Sequence, residues 1–168
     1  FWFDLDLTQQ ATDLIANRLL ASFENQLDKQ VLMNNQLTFQ SDLADLMQRV
    51  ASLRESQQLD YLVTTHDAFS YLARDLGFEL KTLIGVTTES DFSLREIQDL
   101  ADFMKEKQVH EIYLESTVSD KPLKKLQEIL AAQDFAVVLK DSFLLGDSLL
   151  EGQNFLDFVR HNLDLMYE

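Results

Sequence analysis

The feature that most constrains the fold is an alternation of short β-rich runs with amphipathic helical segments, which begins at residue 60. Four apolar runs have the character of strands, and the segments between them have the spacing of helices. We place the strands at residues 61–64, 81–86, 109–114 and 135–139. Strands that are joined through helices pair in parallel, with helices covering both faces. The sequence therefore predicts an α/β fold with a four-stranded parallel sheet and helices on both faces.

The first 58 residues carry no such alternation and are predicted to be helical. A first helix after Asp6 would bury an apolar stripe of Ala11, Leu14, Ile15, Leu19 and Phe23. A second helix, at about residues 31–55, has one narrow apolar seam and would be about 35 Å long at 1.5 Å per residue. It is either a packed surface helix or a rigid strut alongside or between two lobes. We expect a helical segment over residues 1–58 and an α/β lobe over residues 59–168.

Charge and composition exclude several classes of function. The chain has 29 acidic and 14 basic residues and a formal net charge of −15, and such a surface repels nucleic acid and anionic lipid. It contains no cysteine, which excludes disulfides, thiolate catalysis and zinc sites built on cysteine. No apolar run is long enough to span a membrane. Because the chain opens at Phe1 within an aromatic, apolar phrase, we expect a piece of a longer protein whose upstream part could carry a signal or an anchor.

Residues with metal-binding side chains follow the predicted strands at one edge of the sheet. His66 follows the first strand and Asp141 follows the fourth, so both would lie at the carboxyl edge, where open parallel sheets bind ligands. One imidazole and one carboxylate make half of a typical zinc or manganese site. Glu115 follows the third strand and could orient this site. Each residue also has an alternative interpretation. His66 could cap a helix or lie on the surface, and Asp141 could be an ordinary loop residue. Glu115 could be solvated or pair with Lys121.

Catalytic signatures are weak in this sequence. Ser70 lies within one helical turn of His66 but has no glycine elbow around it, and Ser116 and Ser142 have no identifiable base. No glycine-rich loop of the kinds that bind nucleotide phosphates is present. We therefore predict no catalytic residue, and a binding module is one of three hypotheses for the chain. The alternatives are a metal-assisted hydrolase, built on the same histidine, aspartate and glutamate, and an interaction protein.

Several phrases of the sequence, taken in order, resemble one family. The phrase VTTHDAFSYLARDLGF at residues 63–78 is similar to a phrase of the metal-binding solute-binding proteins of bacterial zinc and manganese ABC importers, the TroA-like family. Trp2 and Asp4 resemble the part that follows the histidine of another family phrase. Three more stretches of the chain resemble segments of this family: residues 87–126, KDSF at residues 140–143 and FLDFVRHNLDLM at residues 155–166. The resemblance covers essentially the whole chain.

This resemblance implies a bilobed binding protein whose lobes are joined by a long rigid helix, here the one at residues 31–55. A divalent metal would lie between the lobes. Two of its ligands would be histidines of an N-terminal lobe that is absent from this chain, and the other two would be His66 and Asp141. Glu115 and Trp2 would be supporting residues that hold these ligands in place and do not bind the metal themselves.

The implied cargo is zinc, with manganese as the alternative, because three imidazoles and one carboxylate suit the borderline-soft zinc ion. The implied partner is the ABC permease of a metal importer. It would receive the ion from a monomeric, extracytoplasmic protein that is either a cell-surface lipoprotein or periplasmic. Members of the family have also been described as adhesins, which is the interaction-protein alternative. Metal affinity should fall as the pH drops through the histidine range.

Overall fold

The computed structural model describes residues 2–23, 28–56, 58–84 and 93–167 of the chain. Two helices come first in these ranges, and strands then alternate with helices. The helices are α1 (Leu5–Ser22), α2 (Lys29–Ser56), α3 (Ser70–Leu76), α4 (Leu94–Lys107), α5 (Lys121–Ala131) and α6 (Phe155–Tyr167). The strands are β1 (Tyr61–His66), β2 (Glu79–Ile84), β3 (Glu111–Glu115) and β4 (Val138–Leu144). None of these helices is both long and apolar enough to cross a membrane.

The strands confirm the predicted α/β class. β1 pairs with β2 and β3 pairs with β4, both in parallel. β1 also lies beside β3, so the strands stand in the spatial order β2, β1, β3, β4, although the hydrogen-bonded ladders are the two outer pairs. The carboxyl ends of β1 and β3 meet where His66 contacts Glu115. Gly85 and the loop predicted after the second strand lie outside the described residues.

Helices cover both faces of the strands, as the alternation of side chains along β1 shows. Leu62 packs in a core with α2, α3 and α6, whereas its neighbour Val63 packs in a second core with α4 and α5. The same alternation holds in β3, where Tyr113 belongs to the first core and Ile112 to the second. Because successive side chains of a strand point to opposite faces, the central strands hold the two cores together.

Local signals in the sequence explain where several helices begin and end. α3 ends at Gly77, whose φ of 85° is a left-handed conformation that glycine adopts without steric cost. α4 begins with the predicted capping box, in which the side chains of Ser93 and Glu96 each accept a hydrogen bond from the other residue's backbone N–H. Pro122 lies in the first turn of α5, where its missing N–H costs no helical hydrogen bond.

The long helix is confirmed as α2, which has 28 residues. Its C-terminal half packs on α3 and α6 and contains its buried residues, Leu43, Leu46 and Val50. Its N-terminal half is joined to α1 through Asp13, which accepts hydrogen bonds from two glutamine side chains of α2. The second half of α2 therefore shares a core with the strands, and the division of the chain at residue 58 stays a prediction.

α1 differs from its prediction in its cap and in its buried face. Asp4, not Asp6, caps the helix and accepts a hydrogen bond from the backbone N–H three residues later at 2.9 Å. Leu14 and Ile15, expected in the core, are 71% and 58% exposed. The helix instead buries a different face, which contains Leu5, Thr8 and Ala16. An apolar stripe marks a surface that can be covered, but it does not say which neighbour covers it.

Candidate metal centre

His66 is the last residue of β1 and lies at the carboxyl edge of the strands. The predicted strand stopped at residue 64, but the observed strand continues through Thr64, Thr65 and His66, which are all buried. The buried Thr64 hydroxyl has a hydrogen-bond acceptor inside the protein, the Glu115 carboxylate. His66 is only 2% exposed, so it is not the surface histidine that was one of the alternatives.

Glu115, the last residue of β3, holds the end of β1 in place. Its Oε1 accepts a hydrogen bond from the Thr64 hydroxyl at 2.7 Å and two from the backbone N–H groups of Thr65 and His66, both at 2.9 Å. Its Oε2 contacts Nδ1 of the His66 ring. Glu115 is 2% exposed, so it is neither the solvated carboxylate nor the Lys121 partner that were the alternatives.

The contact with Glu115 decides which nitrogen of His66 is available to a ligand. A carboxylate only accepts hydrogen bonds, so Nδ1 carries the proton in this contact. In the neutral ring the lone pair then lies on Nε2, on the side away from Glu115. The contact also raises the pKa of His66, because its hydrogen bond stabilises the protonated ring more than burial destabilises it. Metal-bound histidines are commonly oriented by a carboxylate in this way.

Asp147 supplies a second metal-binding side chain beside His66. It lies in the connection between β4 and α6, and its Oδ2 is 3.1 Å from Nε2 of His66. The Asp147 side chain is 38% exposed, so an ion can reach it from solvent. In a tetrahedral zinc site, ligand bonds of about 2.0–2.2 Å set an imidazole nitrogen and a carboxylate oxygen about 3.4 Å apart. The two atoms therefore need to separate only slightly to hold an ion between them.

Asp141 does not join this pair, and the position predicted for it, past the end of the fourth strand, is wrong. β4 continues to Leu144, and its register with β3 shifts midway. The extra residues of β4 form a bulge that contains Asp141, and the strand pairs with β3 again beyond it. Asp141 lines an open cavity together with Lys140, whereas His66 and Asp147 line a different one.

Asp147 was missed from the sequence, although a signal for it exists. Residues 143–145 form an apolar run that Gly146 ends, which is typical of the end of a strand. A strand extended through this run would have placed Asp147 at the carboxyl edge with His66. The polar residues of the bulge concealed the continuation of the strand.

Trp2, predicted as a supporting residue, lies beside the pair. Its indole Nε1 donates a hydrogen bond to the carbonyl oxygen of Gly146 at 2.9 Å. Trp2 and Asp147 together line two adjoining open cavities of about 140 and 200 Å³. The smaller cavity also contains His66, so the indole forms part of the wall around the candidate ligands.

A metal site built on the described residues alone would be incomplete. Within residues 2–23, 28–56, 58–84 and 93–167, no three histidine, cysteine, aspartate or glutamate side chains are grouped so that they could hold a metal ion. His66 and Asp147 offer one donor atom each, and Glu115 is already engaged by the ring and by three hydrogen-bond donors. A tetrahedral ion bound here would need further ligands from elsewhere.

Comparison with known proteins gives relatives that match almost all of this chain. The chain is 29% identical over 170 residues to the manganese-binding lipoprotein MntA of Bacillus subtilis (strain 168). It is 27% identical over 166 residues to the zinc-binding protein TroA of Treponema pallidum (strain Nichols). Each alignment covers 97% of this chain and 54% of the relative, so the chain spans about half the length of these curated relatives.

A solved structure and a family model extend this comparison. The structure of the periplasmic zinc-binding protein TroA from Treponema pallidum superposes with a TM-score of 0.87 at 27% identity, covering 98% of this chain and 61% of that chain. The model of the ZnuA family, described as the periplasmic component A of the zinc-uptake complex, matches residues 1–168. Because this match includes every residue, the chain belongs to the ZnuA family.

Proposed function

We propose that this chain contributes half of the metal site of an extracytoplasmic solute-binding protein, the component of an ABC importer that captures a divalent transition metal. One observation carries the proposal: Nε2 of His66 faces Oδ2 of Asp147 at 3.1 Å, while Nδ1 of the same ring contacts Glu115. Membership of the family supports the same function, because the relatives compared above are named as manganese-binding and zinc-binding proteins.

Zinc is the favoured cargo and manganese is the alternative. An imidazole nitrogen is a donor that suits zinc, whereas carboxylate oxygens also suit manganese. His66 and Asp147 would supply one ligand of each kind. The remaining ligands would come from a second lobe of the full-length protein, for which the family resemblance implies two histidines.

Two features support a second lobe that packs beside this chain. The alignments cover only 54% of each curated relative, so those proteins have residues with no counterpart here. Large apolar side chains of α1 and α2 are also exposed, with Leu14 at 71%, Ile15 at 58% and Leu37 at 63%. We expect the second lobe to cover part of this apolar surface, and α2 to serve as the rigid helix between the lobes.

The proposed activity is capture and release of an ion, without catalysis. The His66 ring keeps Nδ1 bonded to Glu115 throughout, so binding changes only the partner of Nε2. Any proton on Nε2 must leave when the metal binds, which makes affinity depend on pH. Asp147 supplies negative charge at the mouth of the site. The partner that receives the ion would be the permease of the importer, and the full-length protein would be a monomer, periplasmic or anchored as a lipoprotein.

Thermal unfolding of the full-length protein with and without Zn²⁺ or Mn²⁺ tests this function. An ion at a hundred times its dissociation constant stabilises the native state by about 2.7 kcal/mol and raises Tm. His66→Ala should remove most of this shift. The matched control is His110→Ala, because His110 is exposed and bonds the Ala136 carbonyl, away from the candidate site. The proposal is contradicted by the absence of a shift with either ion in the wild type, or by an equal shift in His66→Ala.

A further inference from the structure

The connection that carries Asp147 is tethered at the two residues before it. Asn162 of α6 is fully buried and binds both backbone groups of Leu145: the Leu145 N–H donates to Asn162 Oδ1 at 2.8 Å, and Asn162 Nδ2 donates to the Leu145 carbonyl at 3.0 Å. The next carbonyl, that of Gly146, accepts the hydrogen bond from the Trp2 indole at 2.9 Å. The backbone directly before the candidate ligand Asp147 is therefore held by two side chains, those of Asn162 and Trp2.

Gly146 lies in contact with the candidate site itself. A Cβ atom placed on Gly146 would be 3.0 Å from Cε1 of His66, 3.1 Å from Cβ of Ala68 and 3.2 Å from Oε2 of Glu115. All three distances are shorter than ordinary van der Waals contact. Gly146 does not have the positive φ found at Gly77 and Gly152. Residue 146 is therefore restricted to glycine by lack of space and not by its backbone conformation. The space is occupied in part by His66, which carries the metal-binding nitrogen, and by Glu115, which orients it.

We propose that Gly146 is a positioning residue of the metal centre, whose missing side chain lets the β4–α6 connection lie on the His66 ring and thereby sets the reach of Asp147. This inference rests on the metal-binding function proposed above. Residue 146 controls the geometry of the ion site without contacting the ion.

The neighbours of Gly146 leave little room for another side chain. The Glu115 carboxylate is held by three hydrogen-bond donors, and the His66 ring is held by Glu115. A methyl group at residue 146 would therefore displace the connection rather than these two side chains. Asp147 follows directly and would move with the backbone. A shift of a few tenths of an ångström changes the spacing between Nε2 and Oδ2, which the two ligand bonds of an ion have to match.

The test compares Gly146→Ala with Gly152→Ala in the full-length protein. Gly152 has a φ of 81°, and a Cβ atom there would meet nothing within 4 Å. An alanine at residue 152 therefore strains the backbone without touching the site, and it controls for a loss of stability. Zn²⁺ affinity is measured by competition with a chelator, and Tm is measured without metal.

Wild type and Gly152→Ala should bind Zn²⁺ equally, and Gly146→Ala should bind roughly 10- to 100-fold more weakly, the usual cost of disturbing a residue that orients a metal ligand. In the metal-free protein, the NMR signal of the His66 Cε1–H group should shift in Gly146→Ala and stay in place in Gly152→Ala. If Gly146 contributed only to stability, neither the Zn²⁺ affinity nor the His66 signal would change in Gly146→Ala alone.

Equal Zn²⁺ affinity in wild type and Gly146→Ala would overturn the inference and leave the proposed function standing. Failure of the wild type to bind Zn²⁺ would overturn both. If Gly146→Ala does not fold, the double variant Gly146→Ala/Ala68→Gly replaces it, because it removes the Cβ atom that the new methyl group would meet at 3.1 Å and keeps the close contacts with His66 and Glu115. Weaker Zn²⁺ binding by the double variant than by Ala68→Gly supports the inference, and equal binding overturns it.

Discussion

Replacement of Glu115 by glutamine should move the proton of the neutral His66 ring from Nδ1 to Nε2 and so remove the metal donor. Oε1 of Glu115 accepts three hydrogen bonds, from Thr64 and from the backbone N–H groups of Thr65 and His66. A glutamine can keep its carbonyl oxygen at this position, and its NH₂ group then faces Nδ1 of His66. Because that group only donates, Nδ1 must accept, and the neutral ring must carry its proton on Nε2.

The opposite orientation of the glutamine is disfavoured by energy. With its NH₂ group turned toward the three donors, the buried N–H groups of Thr65 and His66 would lose their acceptor. Each buried donor left without a partner costs about 1–3 kcal/mol, so the two together cost roughly 2–6 kcal/mol. The hydrogen bond regained at Nδ1 of His66 is worth only about 0.5–1.5 kcal/mol. The proton on the ring should therefore move, and the amide should not turn.

Nitrogen NMR of the metal-free chain at alkaline pH, where the His66 ring is neutral, reads this change directly. We expect the proton on Nδ1 in the wild type and on Nε2 in Glu115→Gln. Zinc affinity of the full-length variant should fall roughly 10- to 100-fold, the usual cost of removing a group that orients a metal-bound histidine. The same tautomer in both proteins, together with equal zinc affinity, would show that Glu115 does not set the tautomer of His66.

Two further predictions concern pH and packing. Because Glu115 raises the pKa of His66 above its usual value of about 6.5, the pair stabilises the metal-free chain at lower pH, and this contribution is lost as the pH rises through the raised pKa. In urea unfolding, the difference in stability between wild type and His66→Gln should therefore be smaller above the raised pKa of His66 than below its usual pKa. A difference that does not change with pH would contradict the stabilising contact between Glu115 and His66. Leu126→Ala empties a fully buried site in α5 and should cost about 2–5 kcal/mol. Leu94→Ala, at a residue that is 73% exposed in α4, should change stability by less than about 0.5 kcal/mol, and equal losses would contradict the assignment of the core.

The parts of the fold that depend on local signals could be predicted from the sequence. The alternation of strands and helices gave the α/β class, because hydrophobic periodicity reports which faces of an element are buried. The end of α3 at Gly77 and the start of α4 at Ser93 were also predicted, since a left-handed glycine and a capping box act within a few residues.

The parts that depend on tertiary pairing could not be predicted from the sequence. Asp141 was placed past the end of β4 because polar residues usually end a strand, but a bulge carries these residues within the strand. The exposure of Leu14 shows the same limit, because an apolar stripe does not identify the element that covers it. His66 and Glu115 were named from the sequence, yet their contact depends on β1 lying beside β3, which no local pattern reveals.

The pairing of His66 with Asp147 is tested most directly by the Zn²⁺ affinity of two full-length variants, Asp147→Asn and Asp141→Asn, measured by calorimetry. Both substitutions remove one negative charge from an exposed aspartate, and the two aspartates line different cavities. We expect Asp147→Asn to bind Zn²⁺ at least about tenfold more weakly, a loss of about 1.4 kcal/mol, and Asp141→Asn to bind like the wild type. Weaker binding by Asp141→Asn with unchanged binding by Asp147→Asn would contradict the pairing of His66 with Asp147 as the metal-binding half of this chain.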